Sequence, residues 1–266
     1  LYVELRAIKE SFSLIPAAIF EGTRFGGLEK HASYRFLNRA AAKLAALDEA
    51  FGFLPSCGDS SSGGDGVSIS GGGGNKGGGS PFLFVDLCGG PGGFSQYLLR
   101  AGRARGLEVC GWGMTLAGAG SCDWCLDQIL DYGSDCDDVS FYGIDGTGDI
   151  LNERNVRAFA AHVLHESCGR RPLLVAADGA SAAVDGRHDQ EALPAAARLA
   201  LCQALAALEL LAEGGHFVLK VFGTARPFNA GLIHALSALF RATWAAKPAG
   251  SRPANDERYL IFRGYV

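Results

Sequence analysis

The chain has 266 residues, 48% of them hydrophobic and 20% charged, which excludes an intrinsically disordered chain and suits one α/β domain. It contains no run of about 18 uncharged apolar residues, so we expect no membrane span. The formal net charge of −4 disfavours a broadly basic nucleic-acid binder, although a local basic patch can bind phosphate inside an acidic chain.

Two segments of contrasting composition come first. Between Ser33 and Phe51, apolar residues recur at the three- and four-residue spacings of an amphipathic helix. The segment Pro55–Ser80 is almost entirely Gly, Ser and Asp. Such a composition cannot bury enough apolar surface to offset its ordering entropy. We therefore expect a flexible insert at 55–80 within a single domain that spans residues 1–266.

From residue 82 onward, short apolar strands alternate with helices. This alternation predicts a doubly wound α/β sheet, in which ligands bind beyond the carboxyl ends of the strands. The predicted strands are Phe82–Leu87, Leu107–Gly113, Val139–Ile144, Leu173–Ala177, His216–Val221, Thr243–Lys247 and Tyr259–Arg263, and the predicted helices are Gly92–Arg103, Glu153–His165, Glu191–Ala212 and Phe228–Phe240.

The turn after the first predicted strand is rich in glycine and reads Cys88-Gly-Gly-Pro-Gly-Gly-Phe94. Glycines let the backbone approach a ligand, and the helix that follows offers free N–H groups at its start. Those groups can bind a pyrophosphate or the carboxylate of S-adenosylmethionine. No acidic residue closes the next strand, which disfavours a nicotinamide oxidoreductase. Cys88 has no histidine nearby in sequence, so we predict a packing role for it rather than nucleophilic catalysis.

The eight cysteines lack the spacing of a secreted disulfide framework. Cys122 and Cys125 form one CxxC pair, which Cys136 could join, but a structural zinc site needs four ligands. We therefore expect reduced thiols in an intracellular protein, and no metal. The sequence shows no signal peptide. Because it starts at Leu1 and not at Met, we expect it to be a segment of a longer protein.

Several motifs in register carry a resemblance to a known family. The run Val85–Tyr97 resembles the cofactor motif of the FtsJ/RrmJ-type 2′-O-methyltransferases. The supporting motifs are Phe36–Lys43, Gly113-Met-Thr-Leu, Asp145-Gly-Thr-Gly-Asp-Ile, Ala177-Asp-Gly and Ser251-Arg-Pro-Ala-Asn-Asp-Glu-Arg-Tyr. Together they are similar to the cap-specific mRNA (nucleoside-2′-O-)-methyltransferase 1 family. The resemblance implies a Rossmann-like S-adenosylmethionine methyltransferase fold, with a mostly parallel seven-stranded sheet flanked by helices.

The resemblance also implies a set of site residues. The catalytic tetrad would be Lys43, Asp178, Lys220 and Glu257. Lys220 would be the general base or the group that orients the hydroxyl, and Lys43 would stabilise charge on the oxygen. The implied cofactor contacts are Asn38, Cys88, Gly89, Gly90, Pro91, Gly92, Gly93, Phe94, Asp149 and Ile150, and the candidate RNA contacts are Arg24 and Arg252.

Each tetrad residue taken alone also fits an ordinary structural role. Asp178 could cap a turn, the two lysines could be solvated surface charges, and Glu257 could pair with Arg258. The sequence also departs from the family pattern, because Ala180 stands where the family has a glycine and the stretch Asp185–Pro194 differs. These departures bear on RNA or cap preference more than on the reaction type.

The function implied is 2′-O-methylation of the first transcribed nucleotide of capped mRNA. The implied partners are the capped 5′ end and, through flanking regions, the transcription machinery, and the implied location is the nucleus. Two alternatives stay open. One is methylation of ribosomal or transfer RNA by the same chemistry, and the other is an inactive RNA-binding module.

Overall fold

Seven strands form one sheet in a computed structural model of the chain. The structure describes residues 36–55, 80–118, 123–129, 140–180, 192–248, 250–252 and 255–266. The strands are β1 (Phe82–Leu87), β2 (Val109–Met114), β3 (Ser140–Phe141), β4 (Leu174–Ala177), β5 (His216–Phe222), β6 (Phe240–Ala246) and β7 (Glu257–Tyr265). The helices are α1 (Arg39–Phe51), α2 (Gly93–Ala104), α3 (Leu126–Ile129), α4 (Glu153–Glu166), α5 (Ala192–Leu210) and α6 (Pro227–Ser237).

The strand order across the sheet is β3-β2-β1-β4-β5-β7-β6. Strands β1 to β5 run parallel, whereas β7 is antiparallel to both of its neighbours. The expected fold, a mostly parallel seven-stranded sheet flanked by helices, is confirmed. Because β1 and β4 are adjacent, the loops that follow them meet at one edge of the sheet.

Alternation of side chains along the buried strands divides the core into two layers. In β1, Leu83, Val85 and Leu87 pack with α4, α5 and α6 on one face of the sheet. Phe82 and Phe84 pack with α1 and α2 on the other face. The helices therefore cover both faces, as a parallel sheet requires.

Several predicted element boundaries differ from those in the structure; β3, for example, spans only Ser140–Phe141 and not 139–144. Helix α1 begins only at Arg39, because the Asn38 side chain caps it by accepting hydrogen bonds from the Ala40 and Ala41 backbone N–H groups. Helix α6 ends at Ser237, before the predicted end, and β6 already starts at Phe240. Strand β7 starts two residues earlier than predicted, at Glu257, which places this carboxylate inside the sheet.

One expectation about the cysteines was wrong. Cys110, in β2, is disulfide-bonded, whereas we expected reduced thiols throughout. Cys88, Cys125, Cys168 and Cys202 are free. The cysteines at 122 and 136 and the Gly/Ser-rich segment from 56 to 79 lie outside the described residues.

Helix α1 is fixed to the body of the fold through Asp48, near its C-terminus. One carboxylate oxygen accepts the backbone N–H groups of Phe53 and Leu54, at 2.7 and 3.0 Å. The other accepts the Tyr97 hydroxyl at 2.7 Å and the Arg105 guanidinium at 2.6 Å. This Asp48 cluster joins the C-terminal end of α1 to α2.

Candidate active site

The glycine-rich loop between β1 and α2 has the geometry of a ligand cradle. The Cys88 N–H donates to the Met114 carbonyl at 2.7 Å, and the Gly90 N–H donates to the Thr115 hydroxyl at 3.2 Å. The end of β2 therefore holds the start of the loop. Gly92, in the left-handed region at φ 106°, is the N-cap of α2 and offers no side chain to its first turn. The Ser95 N–H donates to Asp86 and the Gln96 N–H to the Gly92 carbonyl, which leaves the N–H groups of Gly93 and Phe94 to bind a carboxylate.

Asn38 reaches this loop from the other side. A Cβ atom on Gly93 would lie 2.1 Å from the Asn38 Oδ1 atom, so only glycine allows this close approach. The Leu37 N–H also donates to the Gln96 side chain in α2, at 2.6 Å. The start of α1 and the start of α2 are therefore packed together, which brings the predicted cofactor contact Asn38 to the predicted loop.

Asp86 is fully buried beneath the loop. Its Oδ2 atom accepts two hydrogen bonds from Ser95, from the N–H at 3.1 Å and from the hydroxyl at 2.8 Å. Its Oδ1 atom has no partner among the residues that the structure describes. Burial, and to a smaller degree the Asp178 carboxylate, raise the pKa of Asp86 to about 7. The sequence reasoning gave this residue no role, because its position in an apolar strand hid its contacts.

Cys88 packs against the apolar core as predicted. Its backbone has a positive φ of 55°, and burial is the main reason that the pKa of its thiol is raised to about 12. A thiol that resists ionisation to this degree is a poor nucleophile at neutral pH. The packing role therefore fits the structure.

Asp149 and Ile150 lie in the loop between β3 and α4. The Asp149 Oδ1 atom accepts the Leu151 N–H at 2.9 Å, and Ile150 is buried. The cap of α4 is Asn152, whose side chain accepts the Arg154 N–H, so Asp149 is not needed as the helix cap. The Ala117 N–H donates to the Thr147 carbonyl, which ties this loop to the segment after β2.

The structure brings the four predicted tetrad residues together as two ion pairs. Lys43, on α1, lies 2.8 and 2.9 Å from the two carboxylate oxygens of Glu257. Lys220, near the end of β5, lies 2.9 Å from the Asp178 Oδ1 atom and also donates to the Asp178 carbonyl. The structural alternatives of a solvated Lys43 and of a Glu257–Arg258 side-chain pair are not what the structure shows.

The two pairs share one face of the sheet. Lys220 is paired in register with Tyr259, and Glu257 precedes Tyr259 by two positions on the same strand. Burial opposes ionisation of Glu257, but the charge of Lys43 and its hydrogen bond outweigh burial and lower the pKa of the carboxyl group. Each side chain of the two pairs keeps some exposure, up to 16% for Asp178, so a ligand can reach them.

The loop between β6 and β7 supplies contacts that the sequence reasoning missed. The Ser251 hydroxyl donates to the Glu257 Oε1 atom at 2.5 Å. The Lys247 ammonium donates to the Asn255 carbonyl, to the Asn255 side chain and to the Glu257 carbonyl, at 2.8, 2.9 and 3.2 Å. These bonds close the loop and hold Glu257 in place. The motif around Ser251 was a usable signal, because it immediately precedes the glutamate.

The two candidate RNA contacts fare differently. Arg252 lies in this same loop, directly after Ser251, and is half-buried. Arg24 and most of the stretch Asp185–Pro194 lie outside the described residues. Within the described part of the chain, no three His, Cys, Asp or Glu side chains could hold a metal ion together. No helix there is long and apolar enough to cross a membrane.

A cavity of about 520 Å³ opens beside Lys220, between α5 and the start of α6. Its lining combines the backbone after β4, at Gly179, with the cationic side chains of Arg198 and Arg226 and the exposed ring of Phe228. A groove that combines cations with an aromatic face suits a single nucleic-acid strand.

Comparison with known proteins agrees with this geometry. Residues 36–265 match the FtsJ-like methyltransferase family. The chain is 38% identical over 231 residues to cap-specific mRNA (nucleoside-2′-O-)-methyltransferase 1 of Danio rerio, covering 86% of this chain and 26% of the relative. It is 33% identical to the protein of that name in Dictyostelium discoideum, where the match covers 87% of this chain and 30% of the relative. It is 36% identical to the one in Trypanosoma cruzi, where the match covers 87% of this chain and 57% of the relative.

A solved structure shows the same fold. The crystal structure of a ribosomal RNA methyltransferase from Plasmodium falciparum matches with a TM-score of 0.57 at 15% identity, covering 86% of this chain and 97% of that chain. The chain belongs to the FtsJ-like methyltransferase family, whose members use S-adenosylmethionine as methyl donor. It spans only about a quarter to somewhat over half of the length of the curated relatives named above.

Proposed function

We propose that this chain transfers a methyl group to the ribose 2′-hydroxyl of the first transcribed nucleotide of capped mRNA. The observation that carries the proposal is the pairing of Lys43 with Glu257 and of Lys220 with Asp178 at the strand ends beside the glycine-rich loop. The names of relatives that are 33–38% identical support the capped substrate.

The residues around the loop suit S-adenosylmethionine, which would supply an electrophilic methyl group on sulfur. The N–H groups of Gly93 and Phe94, in the first turn of α2, would bind its carboxylate, and the absence of a side chain on Gly93 lets the Asn38 side chain lie close to them. We assign Asp149 and the buried Ile150 to the same site, because their loop is bonded to the segment after β2.

The tetrad then acts on the hydroxyl. A ribose hydroxyl is a poor nucleophile, and holding it in line with the methyl group contributes several kcal/mol to lowering the barrier. Lys220 would orient the hydroxyl or act as its general base, accepting the proton as the new O–C bond forms and the S–C bond breaks. Asp178 fixes Lys220 by its 2.9 Å ion pair. Lys43, held by Glu257, would stabilise negative charge that develops on the oxygen.

Two further features bear on the RNA. Arg226 and the exposed Phe228 ring line the cavity beside Lys220, so we assign this cavity to the RNA strand that continues from the methylated nucleotide. We also assign an RNA contact to Arg252, in the loop next to Glu257, and to Arg24. A nuclear location and contacts with the transcription machinery rest on the family resemblance alone.

The test is a methyl-transfer assay with S-adenosylmethionine that carries a deuterated methyl group. Capped and uncapped oligonucleotides of one sequence, and a structured ribosomal RNA fragment, are incubated with the chain and digested to nucleosides for mass spectrometry. The proposal expects the label on the 2′-oxygen of the first transcribed nucleotide of the capped RNA only. Lys220→Met, which removes the amine and keeps most of the side-chain length, serves as the matched control.

Two other outcomes would replace the proposal. Preferential labelling of the structured, uncapped RNA would indicate a ribosomal or transfer RNA methyltransferase. Binding of both cofactor and capped RNA without any transfer, in a single-turnover format, would indicate an inactive RNA-binding module.

A further inference from the structure

Tyr259 lies at the centre of the tetrad although it belongs to none of the assigned sites. It is fully buried on β7, where it is paired in register with Lys220 on β5. Side chains directly opposite each other on antiparallel strands lie on the same face of the sheet. Tyr259 therefore occupies the floor between the two ion pairs.

Its hydroxyl is committed to one partner. The Tyr259 hydroxyl donates a 2.7 Å hydrogen bond to the Asp178 Oδ1 atom, the same oxygen that pairs with Lys220. Burial, followed by the Asp178 and Glu257 carboxylates, raises the pKa of Tyr259 well above its usual value. The hydroxyl therefore stays protonated and always acts as a donor to Asp178.

Its ring serves the other half of the tetrad. The Lys43 ammonium lies 5.7 Å from the centre of the Tyr259 ring, within the range of a cation–π contact. The Phe94 ring, from the cofactor loop, lies 6.3 Å from it on a tilted axis. One side chain therefore touches an acid of one ion pair, the lysine of the other, and the loop that would hold the methyl donor.

We propose that Tyr259 is a positioning residue for methyl transfer, which orients Asp178 through its hydroxyl and Lys43 through its ring. This role rests on the proposed function. The Asp178 side chain has two rotatable bonds and can adopt many conformations. The hydrogen bond from Tyr259 selects the conformation in which Asp178 holds Lys220, and so it would hold Lys220 in position for the ribose hydroxyl.

Tyr259→Phe tests the role by removing the hydroxyl and keeping the ring. The expected result is a fall in kcat of about tenfold or more, because the lost bond reaches a charged group. The dissociation constant for S-adenosylmethionine and the KM for capped RNA should stay within about threefold, since Tyr259 touches neither ligand directly. A second variant, Tyr259→Leu, also removes the ring beneath Lys43 and should lower kcat by about another fivefold.

The chain offers a matched control in Tyr97→Phe. Tyr97 also donates a 2.7 Å hydrogen bond to a buried carboxylate, that of Asp48, but it does so in the Asp48 cluster, at the far end of α1. Both Tyr→Phe variants should lose similar amounts of thermal stability, whereas only Tyr259→Phe should lose kcat.

The outcomes separate the two claims. If Tyr259→Phe keeps the wild-type kcat, or if Tyr97→Phe loses as much kcat at temperatures where both are folded, the positioning role is wrong and the proposed function stands. A wild-type chain that methylates no RNA would instead contradict the proposed function, and the positioning role with it.

Discussion

Helix α1 contributes to two ionic clusters, each of which combines carboxylate, cationic and tyrosine side chains, but the two clusters have different roles. At its C-terminal end, the Asp48 carboxylate is fully buried and accepts four hydrogen bonds from the protein itself. Earlier on the helix, Lys43 belongs to the tetrad, whose members keep part of their surface exposed. Both clusters contain a tyrosine bonded to a carboxylate at 2.7 Å.

The difference lies in what each cluster leaves open. The Asp48 cluster satisfies its charges completely, so its contribution is to fix the packing of α1 on α2. The tetrad lies at the carboxyl ends of parallel strands, where ligands of α/β sheets bind, and one of its two lysines, Lys220, lines a cavity. Burial of charge alone therefore does not mark a functional site; burial combined with an accessible face does.

The largest expected effect comes from Lys220→Met. Loss of the amine should lower the single-turnover rate of methyl transfer by about 10²–10⁴-fold, because both the orientation of the hydroxyl and its proton acceptor are removed. Cofactor affinity, measured by calorimetry, should stay within a few-fold. A rate within tenfold of wild type would show that Lys220 has only a structural role, as the ion-pair partner of Asp178.

Asp48→Ala should act on stability instead. It leaves the Tyr97 hydroxyl and the backbone N–H groups of Phe53 and Leu54 without their acceptor, at a cost of about 3 kcal/mol. Arg105 can turn to water, since about a third of its side chain is already exposed. Urea unfolding followed by tryptophan fluorescence measures the loss, and kcat of the folded variant at low temperature should stay within about threefold. A selective loss of kcat without loss of stability would contradict a purely structural role of the Asp48 cluster.

Asp86 gives a smaller effect with a defined pH dependence. Its pKa, about 7 in the folded chain, lies above the unfolded value, so the folded state binds the proton more tightly and stability falls as pH rises through about 7. Asp86→Asn removes this pH-dependent loss of stability. The free energy of unfolding of the variant, relative to that of wild type, should therefore rise by on the order of 2 kcal/mol from pH 5 to pH 8. The exposed Asp127→Asn is the control, and an equal pH trend in both variants would refute the assignment.

Local patterns in the sequence located the sheet and the glycine-rich loop, and the motifs of the family resemblance named the four residues that the structure brings together as two ion pairs. Strand β1 is uniformly apolar apart from Asp86, and Lys220 follows an unbroken apolar run in β5, so the sequence predicts where both strands end. The ion pairs themselves could not be predicted from local sequence patterns, since Lys43 and Glu257 are separated by 214 positions and meet only in the folded chain.

The residues that were missed share a physical reason. Tyr259 and Asp48 look like ordinary members of a strand and a helix, and only their partners from distant segments give them a role. The disulfide at Cys110 likewise could not be read from cysteine spacing. The starts of α1 and β7 differ from the prediction because helix capping and strand pairing determine the ends of elements, where sequence patterns are weakest.

The most direct test of the central claim, that the two ion pairs form one catalytic centre, is the single-turnover methyl-transfer rate of the double variant Lys43→Met/Lys220→Met on capped RNA. Groups that act as a unit show non-additive losses, so the double variant should be no more than about tenfold slower than Lys220→Met alone. Losses that multiply, with the double variant slower by the full product of the two single effects, would contradict a shared centre.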